Sequence, residues 1–366
     1  MATTTWAQPA PTAPAPGAAA PASTIPAAAR TAESAASLNQ YVPAITTFID
    51  DRVKALVGDD AAQRASARDA ILAQVPGNGP TPIYYRTFAN ALDAAVTEAL
   101  KTATPVGKLN LAITVARVAE RANNTSLAGV TRQLLKDPSD SVVLWGVKAS
   151  QPIVPVLAAS PLDPNVDLIK EVRLAAETHG AAWIIDEAYV ALALAKSTSI
   201  TKPMIAAVMP DLSALLQHRV TLYAGGVPPL PAADNRATAF FVQGSVWTNL
   251  TDPKRLAAVQ LMTDLLNAAT AQFGFQAQQG RGELMPLIKQ AGKAFWVVAE
   301  NVGNANMRKA AEAVSALNQG SQPAAVTQAT AALATATAAV PAFKTLRVAL
   351  PAAPQPTTAA AAVAVP

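Results

Sequence analysis

Between residues 38 and 56 the apolar positions are Leu38, Tyr41, Val42, Ile45, Phe48, Ile49, Val53 and Leu56, with Asp50, Asp51 and Lys54 on the other sides. Spacings of three and four residues hold these on one face of a helix, so the pattern predicts an amphipathic helix. Leu284, Leu287, Ile288, Ala291, Phe295, Val298 and Val302 predict another late in the chain. The strict apolar–polar alternation of half-buried strands is nearly absent. Helix starts carry a recurrent mark: Thr81-Pro82, Thr104-Pro105, Asp137-Pro138, Asp163-Pro164 and Asp252-Pro253 each precede a helical pattern. The Thr or Asp oxygen can accept a free backbone N–H there, and proline at the first helical position forfeits no hydrogen bond. The marks and patterns predict roughly 12–15 helices of about 12–22 residues each.

Short helices joined by short turns predict an all-α chain of stacked antiparallel helical hairpins. The stretch from Leu134 to Ala149 makes this specific: Leu134-Leu135-Lys136-Asp137-Pro138 is followed by Ser139-Asp140-Ser141 and the apolar run Val142-Val143-Leu144-Trp145-Gly146-Val147. It resembles the turn and second helix of a HEAT repeat, in which an Asp-Pro turn precedes an apolar helix rich in small residues. Val143 stands where that family often has arginine, and Trp145 is bulkier than usual. The resemblance extends over residues 82–223. It implies an α-solenoid whose surface holds a partner, with no inherited catalytic residues.

Composition divides the chain further. Of its 366 residues, 85 are alanine, 29 proline and none cysteine. Residues 1–36 and 341–366 are Ala/Pro-rich and read as disordered tails, since proline blocks helix propagation and alanine offers little area to bury. Between them, 37–223 reads as the HEAT-like array, 224–233 as a Gly/Pro linker or loop, and 234–340 as a second helical segment. Thr5-Trp6-Ala7 before Gln8 has the small residues of a signal-peptide cleavage site. That pattern leads us to expect an exported protein, with a mobile N-terminus on a cytoplasmic one as the alternative. No apolar run reaches the 18 residues of a membrane span; the nearest, Ala181 to Ala195, carries Asp186 and Glu187.

The absence of cysteine excludes disulfides, thiolate metal sites and a cysteine nucleophile, and two histidines are too few for a three-histidine metal site. No cofactor is expected. The net charge of +4 shrinks to about +2 over 37–340, too little for a general grip on phosphate, so no nucleic-acid partner is expected either. Charge is instead segregated. Lys101, Lys108, Arg117, Arg121, Arg132 and Lys136 face a single acid, Glu120, across 101–136; residues 163–187 then hold six acids against Lys170 and Arg173. The six cations are the candidate surface for a protein partner. The bland alternative is neutralisation of the basic helices by the acidic ones beside them.

A second reading is an α/α-type enzyme with an acid–base site around His179, Asp186 and Glu187. Against it, His179-Gly180 reads as the last turn and left-handed cap of a helix, and the carboxylates as a solvated edge. Trp145, Trp183, Trp247 and Trp296, each inside an apolar helix, read as core anchors. The balance favours a non-catalytic scaffold or adaptor.

Overall fold

The computed structural model describes residues 23–276 and 278–347, and every regular element among the described residues is helical. In chain order the α-helices are α1 (Ala27–Arg30), α2 (Ala35–Asn39), α3 (Val42–Val57), α4 (Ala61–Gln74), α5 (Pro82–Ala99), α6 (Pro105–Ala122), α7 (Ala128–Leu134), α8 (Asp140–Ala159) and α9 (Leu168–His179). There follow α10 (Ala182–Leu192), α11 (Lys202–Ala224), α12 (Pro231–Val242), α13 (Gly244–Trp247), α14 (Asp252–Phe275), α15 (Gln278–Val302), α16 (Ala305–Ala316) and α17 (Pro323–Ala338), then a 3-10 turn at Pro341–Phe343. The count exceeds the sequence expectation because short helices such as α1, α2 and α13 hold too few residues for a period to register. The 38–56 pattern, for instance, is divided between α2 and α3.

The Thr-Pro starts behave as predicted. The Thr81 and Thr104 hydroxyl oxygens accept the N–H groups of Tyr84 (3.4 Å) and Gly107 (3.2 Å), with proline first in the helix. The Asp-Pro pairs act differently. Asp137 and Asp163 accept from Ser139 and Asn165 within the turns before α8 and α9, and Asp252 is itself the first residue of α14. Four further prolines lie inside helices: Pro152 and Pro155 in α8, Pro210 in α11 and Pro286 in α15. Proline therefore does more here than mark helix starts.

Chain neighbours pack together: α3 with α4, α5 with α6, α7 with α8, α9 with α10. Second neighbours do too, so that α6, α8, α10 and α12 form one series of adjacent helices and α5, α7, α9 and α11 another. From α14 the pattern changes: α14 touches α11, α15 and α17, while α12 touches α15. One core cluster of buried side chains extends from Ile25 to Leu346.

Helix α8 lies against α6, α7, α9, α10 and α11. Its approach to α7 depends on Gly146, where a Cβ would come within 3.0 Å of the Leu134 Cβ and 3.2 Å of backbone. Among the described residues α8 alone is long and apolar enough to cross a membrane, and most of it is buried inside the protein. The 181–195 stretch becomes α10, only 11 residues long.

Placed structure reaches into both stretches expected as tails. Residues 1–22 and 348–366, with the Thr5–Gln8 pattern, lie outside the described residues. Residues 23–36 and 341–347 are placed, and Ile25, Ala29, Ala32, Phe343 and Leu346 are buried. Pro26 precedes α1 without interrupting it, and the small side chain of Ala29 is fully enclosed. The Thr81 hydroxyl donates to the Ala32 carbonyl (2.8 Å), pinning this segment to the start of α5.

Candidate functional site

Helices α6, α8 and α10 lie side by side and bring charged side chains from distant parts of the chain around one indole. On α8, Trp145 and Lys148 are three residues apart and share a face. Lys148 Nζ lies 5.3 Å from the Trp145 ring centroid, and from α6 Arg117 Cζ lies 5.7 Å from it. Both are within the range in which a cation is drawn to an aromatic face. Lys148 Nζ also pairs with Glu187 Oε1 of α10 (2.8 Å), and Gln151 Nε2 donates to Glu187 Oε2 (2.5 Å). Arg117 meets Glu120 at 3.4 Å, with both side chains more than half exposed. Lys196, in the turn after α10, has no ion-pair partner among the described residues.

These groups line a cleft of about 190 Å³. It adjoins a larger groove of about 560 Å³ floored by Pro152, Pro155, Val156 and Ala159 of α8, and Glu120 and Lys196 border both. Asn123 at the end of α6, in a left-handed conformation, and Ser197 to Ser199 form the walls. Cations beside an aromatic and an apolar groove are suited to holding an anionic group and the chain attached to it. No group of three or more His, Asp or Glu able to hold a metal occurs among the described residues.

The six cations singled out by sequence do not form one patch. Arg132 makes two hydrogen bonds to Glu171 of α9 (3.0 and 2.7 Å), and Lys136 joins the same carboxylate at 3.2 Å. Burial pushes the Glu171 carboxyl up, but the hydrogen bonds from Arg132 and Lys136 outweigh it and leave it below its ordinary value. Lys108 pairs with Asp137 (2.9 Å), Lys101 with Glu98 (2.5 Å), and Arg121 caps the end of α4 through the carbonyls of Leu72 (2.5 Å) and Val75 (3.4 Å). Of the six, only Arg117 reaches the cleft. Neutralisation across adjacent helices describes Arg132 and Lys136 well, because α7 touches α9.

His179, Asp186 and Glu187 go to three different places. His179 Nδ1 meets Asp140 Oδ1 at the start of α8 (2.7 Å), Asp186 pairs with Arg236 of α12 (2.8 Å), and Glu187 turns to Lys148. The cap reading holds: Gly180 has φ 65° and its N–H bonds to the Ala176 carbonyl. The tryptophans divide. Trp247 is buried, but Trp183 is 56% and Trp296 39% exposed, the latter donating to Glu312 Oε1 (3.2 Å). Both corrections have the same cause: each indole sits on the solvent edge of its helix, which an apolar run does not distinguish.

The sequence reading missed a buried polar cluster at the junction of α10, α11 and α12. Asp234, Arg219, Tyr189 and Tyr223 are each at most 2% exposed. Tyr189 Oη donates to Asp234 Oδ1 (3.0 Å) and Tyr223 Oη to Asp234 Oδ2. Arg219 donates to Tyr223 Oη (2.9 Å), and its Nε lies 3.7 Å from Asp234 Oδ1. The Leu230 N–H also bonds Tyr223 Oη (2.8 Å), while Gln272 of α14 donates to the carbonyls of Tyr223 (2.6 Å) and Val227 (3.0 Å). The Gly/Pro segment at 224–233 is thereby tied to helices on both sides. Burial raises the Asp234 carboxyl to about 7 against the pull of Arg219 and Tyr189. The only sequence signal for this cluster was Arg219 and two tyrosines among the apolar residues of α10 and α11.

Comparison with protein-family models, with curated proteins and with solved structures finds no match to this chain.

Proposed function

We propose that the protein is a non-catalytic helical-repeat scaffold or adaptor, HEAT-like in its first part, that holds a protein partner at the Trp145 cleft. The observation that carries this reading is the meeting of Arg117, Lys148 and Lys196 around one half-buried indole at the mouth of a groove. The solenoid reading draws support from the two series of second-neighbour helices, α5–α7–α9–α11 and α6–α8–α10–α12, joined by hairpin pairs. Later helices pack otherwise, and the repeat reading stays with the HEAT-like array of residues 37–223. His179, Asp186 and Glu187 each being held by a separate partner supports a binding role over catalysis.

The test is a photo-crosslinking residue in place of Thr198 on the groove wall, compared with one at Lys309 on α16, in cells producing the full chain. A protein adduct at Thr198 and none at Lys309 is the expected result. Equal adducts at both positions, or none at Thr198, defeat the reading. Export is part of the proposal and is checked by fractionating the same cells; protein confined to the cytoplasm removes it.

A further inference from the structure

Resting on that reading of the cleft, we infer that the bound part of the partner is an extended peptide: an acidic residue meets Arg117 and Lys196, and small or proline residues follow over the end of α8. Charge selects the acidic residue. Of the three cations at the cleft, Lys148 is satisfied by Glu187. Arg117 has only a 3.4 Å contact with an exposed Glu120, of the kind that contributes little, and Lys196 has no acid of its own among the described residues. An arriving carboxylate therefore finds two cations whose pairing is incomplete. Arg117 Cζ also lies over the Trp145 ring at 5.7 Å.

Shape selects the extended chain. Trp145, Lys148, Pro152, Pro155 and Ala159 recur along one stripe of α8. Fourteen residues of helix rise about 21 Å, which an extended peptide covers in about six residues at roughly 3.3 Å each. The prolines also free two acceptors on α8. Pro152 and Pro155 have no N–H, so the carbonyls of Lys148 and Gln151 lack the donor four residues on that a continuous helix supplies. No side chain among the described residues donates to either carbonyl, so in the proposed complex they are the acceptors for peptide N–H groups. Val156, Ala159 and Met204 make the groove lining apolar, which suits apolar side chains such as alanine and proline.

The experiment measures fluorescence anisotropy of a fluorescein-labelled heptapeptide, two glutamates followed by alternating alanine and proline, against the full chain. A peptide with both glutamates replaced by glutamine and a thymidine oligonucleotide are the comparisons. We expect saturable binding of the acidic peptide, at least tenfold weaker binding of the glutamine peptide, and no competition by the oligonucleotide. Arg117→Glu with Lys196→Glu should weaken the acidic peptide at least tenfold. Should that pair fail to fold by circular dichroism, Arg117→Gln with Lys196→Gln replaces it and should weaken binding severalfold. Ala159→Trp, which fills the far end, should weaken the heptapeptide but leave a two-glutamate fragment unchanged.

Equal binding of both peptides, an unaffected charge variant, or a competing oligonucleotide overturns the inference. A Thr198 adduct without peptide binding removes the acidic-peptide chemistry and leaves the partner-binding reading standing. Peptide binding without an adduct does the reverse.

Discussion

The Trp145 cleft and the Asp234 cluster are assembled from the same parts. Each places a guanidinium over an aromatic ring, Arg117 over Trp145 and Arg219 over Tyr223 at 4.8 Å, and each adds carboxylates within reach. They differ in water. At the cleft Arg117, Glu120 and Lys196 are exposed; at the cluster Arg219, Tyr223 and Asp234 are all but fully enclosed. Enclosure forces nearly every donor and acceptor to find an internal partner, because an unmet charge there costs far more than in solvent. The closed assembly therefore holds helices together. The open one keeps charges that are only loosely satisfied, which is what a binding surface requires.

Removing one partner of the closed assembly should break the comparison most sharply. At pH 8, Asp234→Ala leaves Arg219 buried without an acid and two tyrosine hydroxyls without their acceptor, and should lower stability by about 3–5 kcal/mol. Urea denaturation measures this; a loss below about 1 kcal/mol would mean that the cluster does not hold α10, α11 and α12 together. A second effect concerns pH. Burial raises the Asp234 carboxyl from 3.8 to about 7, so the folded protein keeps a proton there that the unfolded chain has released. Stability should therefore fall as pH rises from about 4 to about 7 and level off above, by at most about 1.4 kcal/mol per unit. Asp234→Asn, which does not titrate, should lack this part of the slope. Parallel pH profiles for the two proteins would place the Asp234 carboxyl near its ordinary value.

How far the sequence foretells each region follows from the same contrast. Apolar spacing marks helices wherever one face is buried along a sufficient length, as with Ile45, Phe48, Ile49, Val53 and Leu56 of α3. It cannot mark which helices become neighbours. Arg117 and Lys196 are 79 residues apart in sequence and border one cleft only because α6, α8 and α10 lie side by side. Charge segregation groups six cations that the fold divides: Arg132 and Lys136 belong to Glu171, and Arg121 to the carbonyls ending α4. The Asp234 cluster was harder still. Pro231-Ala232-Ala233-Asp234 has the composition of a linker, and nothing local distinguishes a buried aspartate from a solvated one.

Between the extremes lies the Arg132–Glu171–Lys136 group, with the Glu171 side chain 14% and Arg132 32% exposed. Glu171→Ala removes an acceptor shared by two cations on α7 and the turn after it. We expect a loss of about 1–2 kcal/mol, since hydrogen bonds to charged groups exceed neutral ones but Arg132 keeps access to water. A loss as large as that of Asp234→Ala would erase the gradation from closed to open.

The smallest expected effect on stability sharpens the comparison from the other side. Arg117→Glu with Lys196→Glu reverses two charges at the cleft, yet neither side chain is enclosed and neither holds a close ion pair there. Substitutions at such positions shift stability by roughly 0.5 kcal/mol or less each. Arg117 adds one cation–π contact with Trp145, worth about 0.5–1 kcal/mol at an exposed site, so the pair together should cost about 1 kcal/mol, less than Glu171→Ala. Thermal melts of the double variant and of Asp234→Ala, run in the same buffer, test this. If the open site were held as tightly as the closed one, the two melts would fall together, and Arg117 and Lys196 would be needed to hold α6 and α10 in place. A small shift joined to a large loss of peptide binding would mean that the charges at the cleft contribute to recognition far more than to folding.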